Sequence, residues 1–229
     1  MKQRANKVRQ KHRDVRSDLL KVACKVFADK GYRKATIAEI CKRAGVNIAA
    51  VNYYFRSKEK LYVEAWRAAF KASISIYRPD GGVGPDAPPE QRLRGRILSL
   101  MRRVADPDNL EFDIVNKELA NPTGLLAEVM HESVEPIRRQ MNQLVSELLG
   151  GQASKEDVLL CQMSIIAQCL YPLVHMRNRN AFARSRRRGG LMLPEMDIEK
   201  IAEHVVRFSL AGIREMRRRI EAARERATE

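Results

Sequence analysis

TIAEICKRAGVNIAAVNYYFRSKEKL, residues 36–61, decides the fold. Thr36 followed by Glu39 is a capping box: the hydroxyl accepts from the amide three positions on, and the carboxylate reaches back to the cap's own amide. A short helix therefore starts after Thr36, with Ile37, Ile40 and Cys41 on its inner face. Ala44-Gly45-Val46 interrupts that pattern, because glycine takes the left-handed conformation of a sharp interhelical turn without a side-chain clash. Asn47 is a good N-cap for a second helix over 48–55. Two short helices about a tight turn make a helix-turn-helix, whose second helix lies in the major groove while the first crosses the backbone. Base reading then falls to Asn47, Ile48, Ala49 and Asn52. An asparagine amide can hold adenine by two hydrogen bonds, whereas isoleucine and alanine can touch only a thymine methyl, so Asn52 is the expected main reader. Thr36, Tyr53, Tyr54 and Lys58 suit phosphate contacts. Taken singly, the two tyrosines read equally well as core aromatics and Lys58 as a solvated charge; the combination is what points to DNA.

Residues 16–66 resemble the N-terminal domain of the TetR family of bacterial transcriptional regulators. The resemblance is carried by Phe27, Gly31-Tyr32, Thr36, Ile40, Ala44-Gly45-Val46, Tyr53-Tyr54-Phe55, Lys58 and Leu61. Asn52-Tyr53-Tyr54 departs from the pattern of many members, which have tyrosine at the position of Asn52 and histidine at that of Tyr54. The C-terminal half is more loosely similar to the CecR-like subgroup through Lys117-Glu118-Leu119-Ala120-Asn121-Pro122-Thr123, Gly150 after a leucine pair, and Phe208-Ser209-Leu210-Ala211-Gly212-Ile213. The resemblance implies a homodimeric repressor released from a palindromic operator by a small-molecule effector, with the dimer made by the last two helices. The subgroup implies control of efflux or detoxification genes.

Charge agrees with the motif. The 229 residues carry a formal net charge of +15. Residues 1–60 hold 17 Lys/Arg against 5 Asp/Glu, leaving 26 against 23 for the remainder. Basic charge is thus concentrated around the helix-turn-helix, as an electrostatic footprint for nucleic acid would be. The longest apolar run, 163–174, is interrupted by Gln168, Cys169 and Pro172, so no membrane span or membrane partner is expected, and the basic N-terminus has no apolar segment of a secretory signal behind it. A cytoplasmic protein is the expectation. Cys24, Cys41, Cys161 and Cys169 show no metal spacing and are expected as buried, reduced thiols, with a redox role for Cys161 and Cys169 as the alternative.

In chain order, residues 1–15 form a basic tail without an apolar face, expected to be flexible and either to follow a DNA backbone or enter a minor groove, or to be a solvated segment that adds only non-specific affinity. Leu19, Leu20, Ala23, Val26 and Phe27 mark an amphipathic helix that ends at Gly31, so the DNA-binding domain spans 16–61. Ser57 caps a helix to about Ile76, which the resemblance makes the signal-transmitting element. The Gly/Pro-rich 78–90 is a loop. Helices follow over 89–105, 109–120, 123–149 with a bend at Pro136, 155–176 with a disturbance at Pro172, and 197–224, with a basic loop over 177–195. No strand pattern occurs. The fold class is all-α: an N-terminal three-helix helix-turn-helix domain followed by a C-terminal helical ligand-binding and dimerisation domain over 62–229.

Two apolar stripes, Val158-Gln162-Ile165-Ile166-Cys169-Leu173 and Ile201-Val205-Phe208-Ser209-Gly212-Ile213-Met216, either close the monomer's own core or pair with a second copy. Polar groups on apolar stretches are candidates for an effector pocket: Asn116, Glu118, His131, Gln162, Gln168, Tyr171 and His175, with Phe112, Met130 and Met163 among its walls. No nucleophile elbow, zinc-protease motif or phosphate loop is present, so neither an enzyme, a cofactor nor a metal is expected. The rival reading is a basic helical protein that binds nucleic acid or anionic surfaces without sequence choice, supported by the tail and by Arg184, Arg186, Arg187 and Arg188.

Overall fold

The computed structural model describes residues 2–177 and 197–228, with side chains over 15–172 and 197–226. Among the described residues there are nine α-helices and no strand: α1 (Lys2–Lys34), α2 (Ile37–Ala44), α3 (Ile48–Phe55), α4 (Lys58–Ile76), α5 (Pro89–Ala105), α6 (Leu110–Ala120), α7 (Ala127–Leu149), α8 (Lys155–Arg177) and α9 (Ile198–Thr228). The all-α expectation therefore holds. The backbone is already helical from Lys2, so the segment expected as a flexible tail continues α1 instead of preceding it. The basic loop, including Arg184 to Arg188, lies outside the described residues.

The chain divides into two compact units, 1–73 with 108–133, and 74–107 with 134–229. Residues 108–133 thus belong with the helix-turn-helix, although linear order assigns them to the C-terminal body. The reason is packing: α6 lies on α1, and Ile114 is fully buried in that unit. Tyr62 and Trp66 of α4 are also fully buried there. Phe27 meets the Tyr62 ring edge-on at 4.8 Å, and Trp66 stacks on Phe70 at 5.2 Å. Burying side chains of this size contributes roughly 1.5–3 kcal/mol each.

Glu118, at the end of α6, is the polar counterpart of this packing. Its carboxylate accepts from the Tyr62 hydroxyl at 3.0 Å, from the Thr123 amide and hydroxyl at 2.8 Å, and from the Gly124 amide at 3.0 Å. Burial disfavours its charge, but the bonds from Thr123, Tyr62 and Gly124 prevail and hold the carboxyl below its ordinary value. These bonds also account for the start of α7 at Ala127 instead of Thr123, because Thr123 and Gly124 are engaged in the preceding turn.

In the second unit α5 is central and packs on both α8 and α9. Leu93, Ile97, Leu98, Met101 and Val104 form its inner face. α7 runs through Pro136 and α8 through Pro172 without a break. Pro136 is exposed, so water can reach the carbonyl that the ring leaves without its helical partner.

The stripes proposed for α8 and α9 face mostly inward. Val158, Gln162, Ile165 and Cys169, together with Ile201, Val205, Ser209 and Ile213, are buried within the chain itself. Phe208 of the α9 stripe is itself exposed, and Leu159, Leu160, Met163 and Tyr171 are exposed large apolar residues of α8 outside its stripe. All four cysteines are free. Burial raises the thiols of Cys24 and Cys169 to about 12 and also raises Cys161, the reverse of an activated sulfur.

Candidate nucleic-acid interface

The local sequence builds the two helices and their caps as expected, with one exception. Thr36 Oγ1 accepts from the Glu39 amide at 3.2 Å and caps α2. The Glu39 carboxylate does not return to the cap. It accepts from Lys30 Nζ at 2.6 and 2.7 Å and from Arg43 at 2.7 Å, and the Lys30 bond leads in holding it below its ordinary value. Two cations, the Lys30 ammonium and the Arg43 guanidinium, engage the carboxylate in place of the single backbone amide, and each adds a full opposite charge to its hydrogen bonds. The effect is to tie α1 to α2.

Gly45 turns the chain at φ 66°, ψ 30°, with its amide and that of Val46 closing onto α2 carbonyls. No atom lies within 4 Å of the position of a Cβ, so backbone conformation and not space requires glycine there. Asn47 then caps α3, its Oδ1 accepting from the Ala49 amide at 3.1 Å. Val51 and Phe55 are buried, which seats α3 by one edge. On the other edge Ile48 is 50 % exposed and Tyr53 68 %, with Ala49 and Asn52 also exposed. Tyr54 is half-buried, and its ring meets that of Tyr53 edge-on at 4.9 Å.

After α3 the chain reverses at Arg56, a non-glycine residue at φ 69°. With ψ −41° and the Ser57 amide donating to the Phe55 carbonyl at 2.8 Å, Arg56 sits in a strained γ-turn that separates α3 from α4. Lys58 opens α4 with its ammonium 4.4 Å from the centre of the Tyr32 ring. Burial, opposed by the charge of Glu59, holds that ammonium below the usual lysine range. The Tyr32 hydroxyl donates to Glu59 at 2.6 Å, and this bond with that of Ser57 pushes the Glu59 carboxyl down to about 2. Arg16 lies over the Phe55 ring at 5.0 Å and pairs with Glu64 at 3.3 Å. Arg16 carries no motif signal, and Tyr32, one of the residues that carry the resemblance, gains its role only from these contacts. Arg16 ties α1 to both α3 and α4, and Tyr32 ties the end of α1 to α4, through contacts between residues far apart in sequence.

The structure thus brings Asn47, Ile48, Ala49, Asn52 and Tyr53 together along one helix edge, with Thr36 and Lys58 at the neighbouring helix starts. The effector candidates are divided between the two units. In the first unit Phe112, Asn116 and Met130 are half-buried, His131 is exposed, and Glu118 is engaged in the bonds described above. In the second, Gln162 is buried, Met163 and Tyr171 are exposed, and Gln168 donates to the Ser164 carbonyl within its own helix. The side chain of His175 lies outside the described residues.

A helix-turn-helix carried on a helical body is the architecture of a DNA-binding regulator. Residues 19–65 match the model of bacterial regulatory proteins of the TetR family, and residues 89–213 match that of the C-terminal domain of the HTH-type transcriptional dual regulator CecR. The chain belongs to the TetR family of transcriptional regulators, with a C-terminal domain of the CecR type. It is 26 % identical to the CecR dual regulator of Shigella flexneri over 172 residues, covering 70 % of this chain and 76 % of that one. Over 98 residues it is 36 % identical to the transcriptional repressor NicS of Pseudomonas putida, covering 41 % and 44 % of the two chains. The fold is similar to that of the fatty acid degradation regulator FadR of Bacillus halodurans, with TM-score 0.63, 18 % identity and coverage of 86 % and 98 %. It is also similar to that of a TetR-like regulator from Rhodococcus sp. RHA1, with TM-score 0.62, 15 % identity and coverage of 87 % and 95 %. Among the described residues no helix is long and apolar enough to cross a membrane.

Proposed function

We propose that this regulator is a homodimeric repressor that reads a palindromic operator through α3 and is released from it by a small-molecule effector. The observation that carries the reading is the outer edge of α3, where Ile48, Ala49, Asn52 and Tyr53 stand exposed on a helix whose inner edge is locked by Val51 and Phe55. Asn52 is the base reader, assisted by Asn47, Ile48 and Ala49; Thr36, Tyr53, Tyr54 and Lys58 hold phosphates. The name of NicS as a transcriptional repressor supports repression, and CecR is named a dual regulator.

Two-fold symmetry is what lets such a reader engage two half-sites. The surfaces assigned to that contact are the outward faces of α8 and α9, with Met163 and Phe208 at their centres. Effector contacts are assigned to the half-buried Phe112, Asn116 and Met130 of α6 and α7. An effector acts only through a difference in affinity between DNA-competent and DNA-incompetent states, and a shift of α4 would change the separation of the two readers. The coupling expected is about 1–3 kcal/mol.

Selection of bound genomic fragments, followed by competition with excess random duplex, tests the reading. A sequence reader retains its selected fragment. Loss of all binding to random competitor, with affinity governed by salt alone, would establish a non-specific basic binder instead.

A further inference from the structure

Beside the end of α4, the loop 78–84 and α5 enclose a cleft of about 640 Å³, with Glu199 of α9 also lining it. This size is typical of small-molecule sites. Its aliphatic wall is Ile76, Val83 and Leu98, and its charged groups are Arg78, Arg94 and Arg102 against Glu199. The loop that forms one side is pinned. A Cβ at Gly81 would lie 2.2 Å from the Gly95 carbonyl, so the two backbones meet directly, and Ser99 Oγ donates to the Arg78 carbonyl at 2.6 Å. The cleft is therefore built into the fold and does not depend on one loose side chain.

The guanidiniums already hold carboxylates. Arg102 grips both oxygens of Glu199, at 2.7 and 2.9 Å, Arg94 holds Glu203 at 3.0 Å, and Arg78 holds Asp80 at 2.7 Å. Glu199 and Arg102 are each about half exposed, so their pair is weak and readily exchanged. We propose that the cleft binds a small amphipathic carboxylate, whose acid group replaces Glu199 on Arg102 while its alkyl part lies on Ile76, Val83 and Leu98. The fork that Arg102 makes with Glu199 carries this inference: it is a carboxylate receptor placed next to an aliphatic wall.

Calorimetric titration of the full-length protein with sodium octanoate and with 1-octanol tests it. DNA is absent from the cell, so the outcome is independent of the DNA reading. Octanoate is expected to bind saturably, one per chain, and octanol much more weakly. Arg102→Ala should weaken octanoate by about tenfold or more, the usual loss for a charge-assisted pair. Glu199→Gln should tighten it several-fold, because the competing charge is removed; a merely structural Arg102 would not give that gain, and this variant decides the matter if Arg102→Ala fails to fold. Absence of saturable octanoate binding, equal binding of octanol, wild-type affinity in a folded Arg102→Ala, or no tightening in Glu199→Gln would each overturn the proposal.

Discussion

Asn47 commits its side-chain oxygen to the amide of Ala49, whereas Asn52 stands exposed along the middle of the same helix. The two asparagines therefore separate experimentally. Asn52→Ala is expected to leave the unfolding midpoint unchanged and to cost about 1–3 kcal/mol of operator binding, with relaxed preference at one base pair. Asn47→Ala should lower stability by about 1 kcal/mol through loss of the cap. Asn47→Asp keeps the cap but adds a negative charge beside the phosphates, so it should retain stability and lose DNA affinity. Thermal melts and fluorescence anisotropy on the same preparations read both effects. Glu118 makes a prediction about pH. Its carboxyl lies below the unfolded value, so its contribution is complete above that value, about 4.3, and disappears as pH falls through the folded value. Glu118→Gln should therefore destabilise the protein near neutrality, and the difference from wild type in urea unfolding should shrink as pH falls below about 4. A constant difference across that range would show that the charge is not what matters.

At the scale of elements, α1 is kinked at Gly31, three residues before its end, where φ 71° and ψ 174° form a conformation essentially restricted to glycine. A Cβ there would also sit 3.3 Å from Cβ of Lys117 on α6. Gly31→Ala is expected to cost roughly 1–3 kcal/mol, read as a lower urea midpoint with an unchanged slope. The same residue kinks α1 and permits the approach of α6, so its substitution disturbs the packing beneath the helix-turn-helix without touching the exposed edge of α3.

For the whole molecule, the outward faces of α8 and α9 carry the prediction. Met163 is 57 % exposed and Phe208 62 % exposed, so a charge at either position leaves the fold of one chain intact. Met163→Glu and Phe208→Glu should convert the proposed dimer to monomer by sedimentation equilibrium and abolish tight operator binding, with α3 unaltered. A wild-type protein that sediments as a monomer, or charged variants that remain dimeric, would remove these faces from the interface.

The helix-turn-helix was legible in residues 36–61 because its determinants are local: a hydroxyl at one helix start, an amide at the next, and a glycine between them. Helix boundaries such as 48–55 and 89–105 follow from the same short-range rules of capping, periodicity and proline placement. Tertiary structure decided what local rules cannot reach. It turned Glu39 from its cap toward Lys30, set Lys58 over Tyr32, and bound Glu118 into the turn after α6. It also chose which face of α8 and α9 is internal, since Gln162 and Ser209 are buried while Met163 and Phe208 are not. The physical reason is range: periodicity identifies that a helix has an apolar side, but which neighbour covers that side depends on elements brought together only by folding.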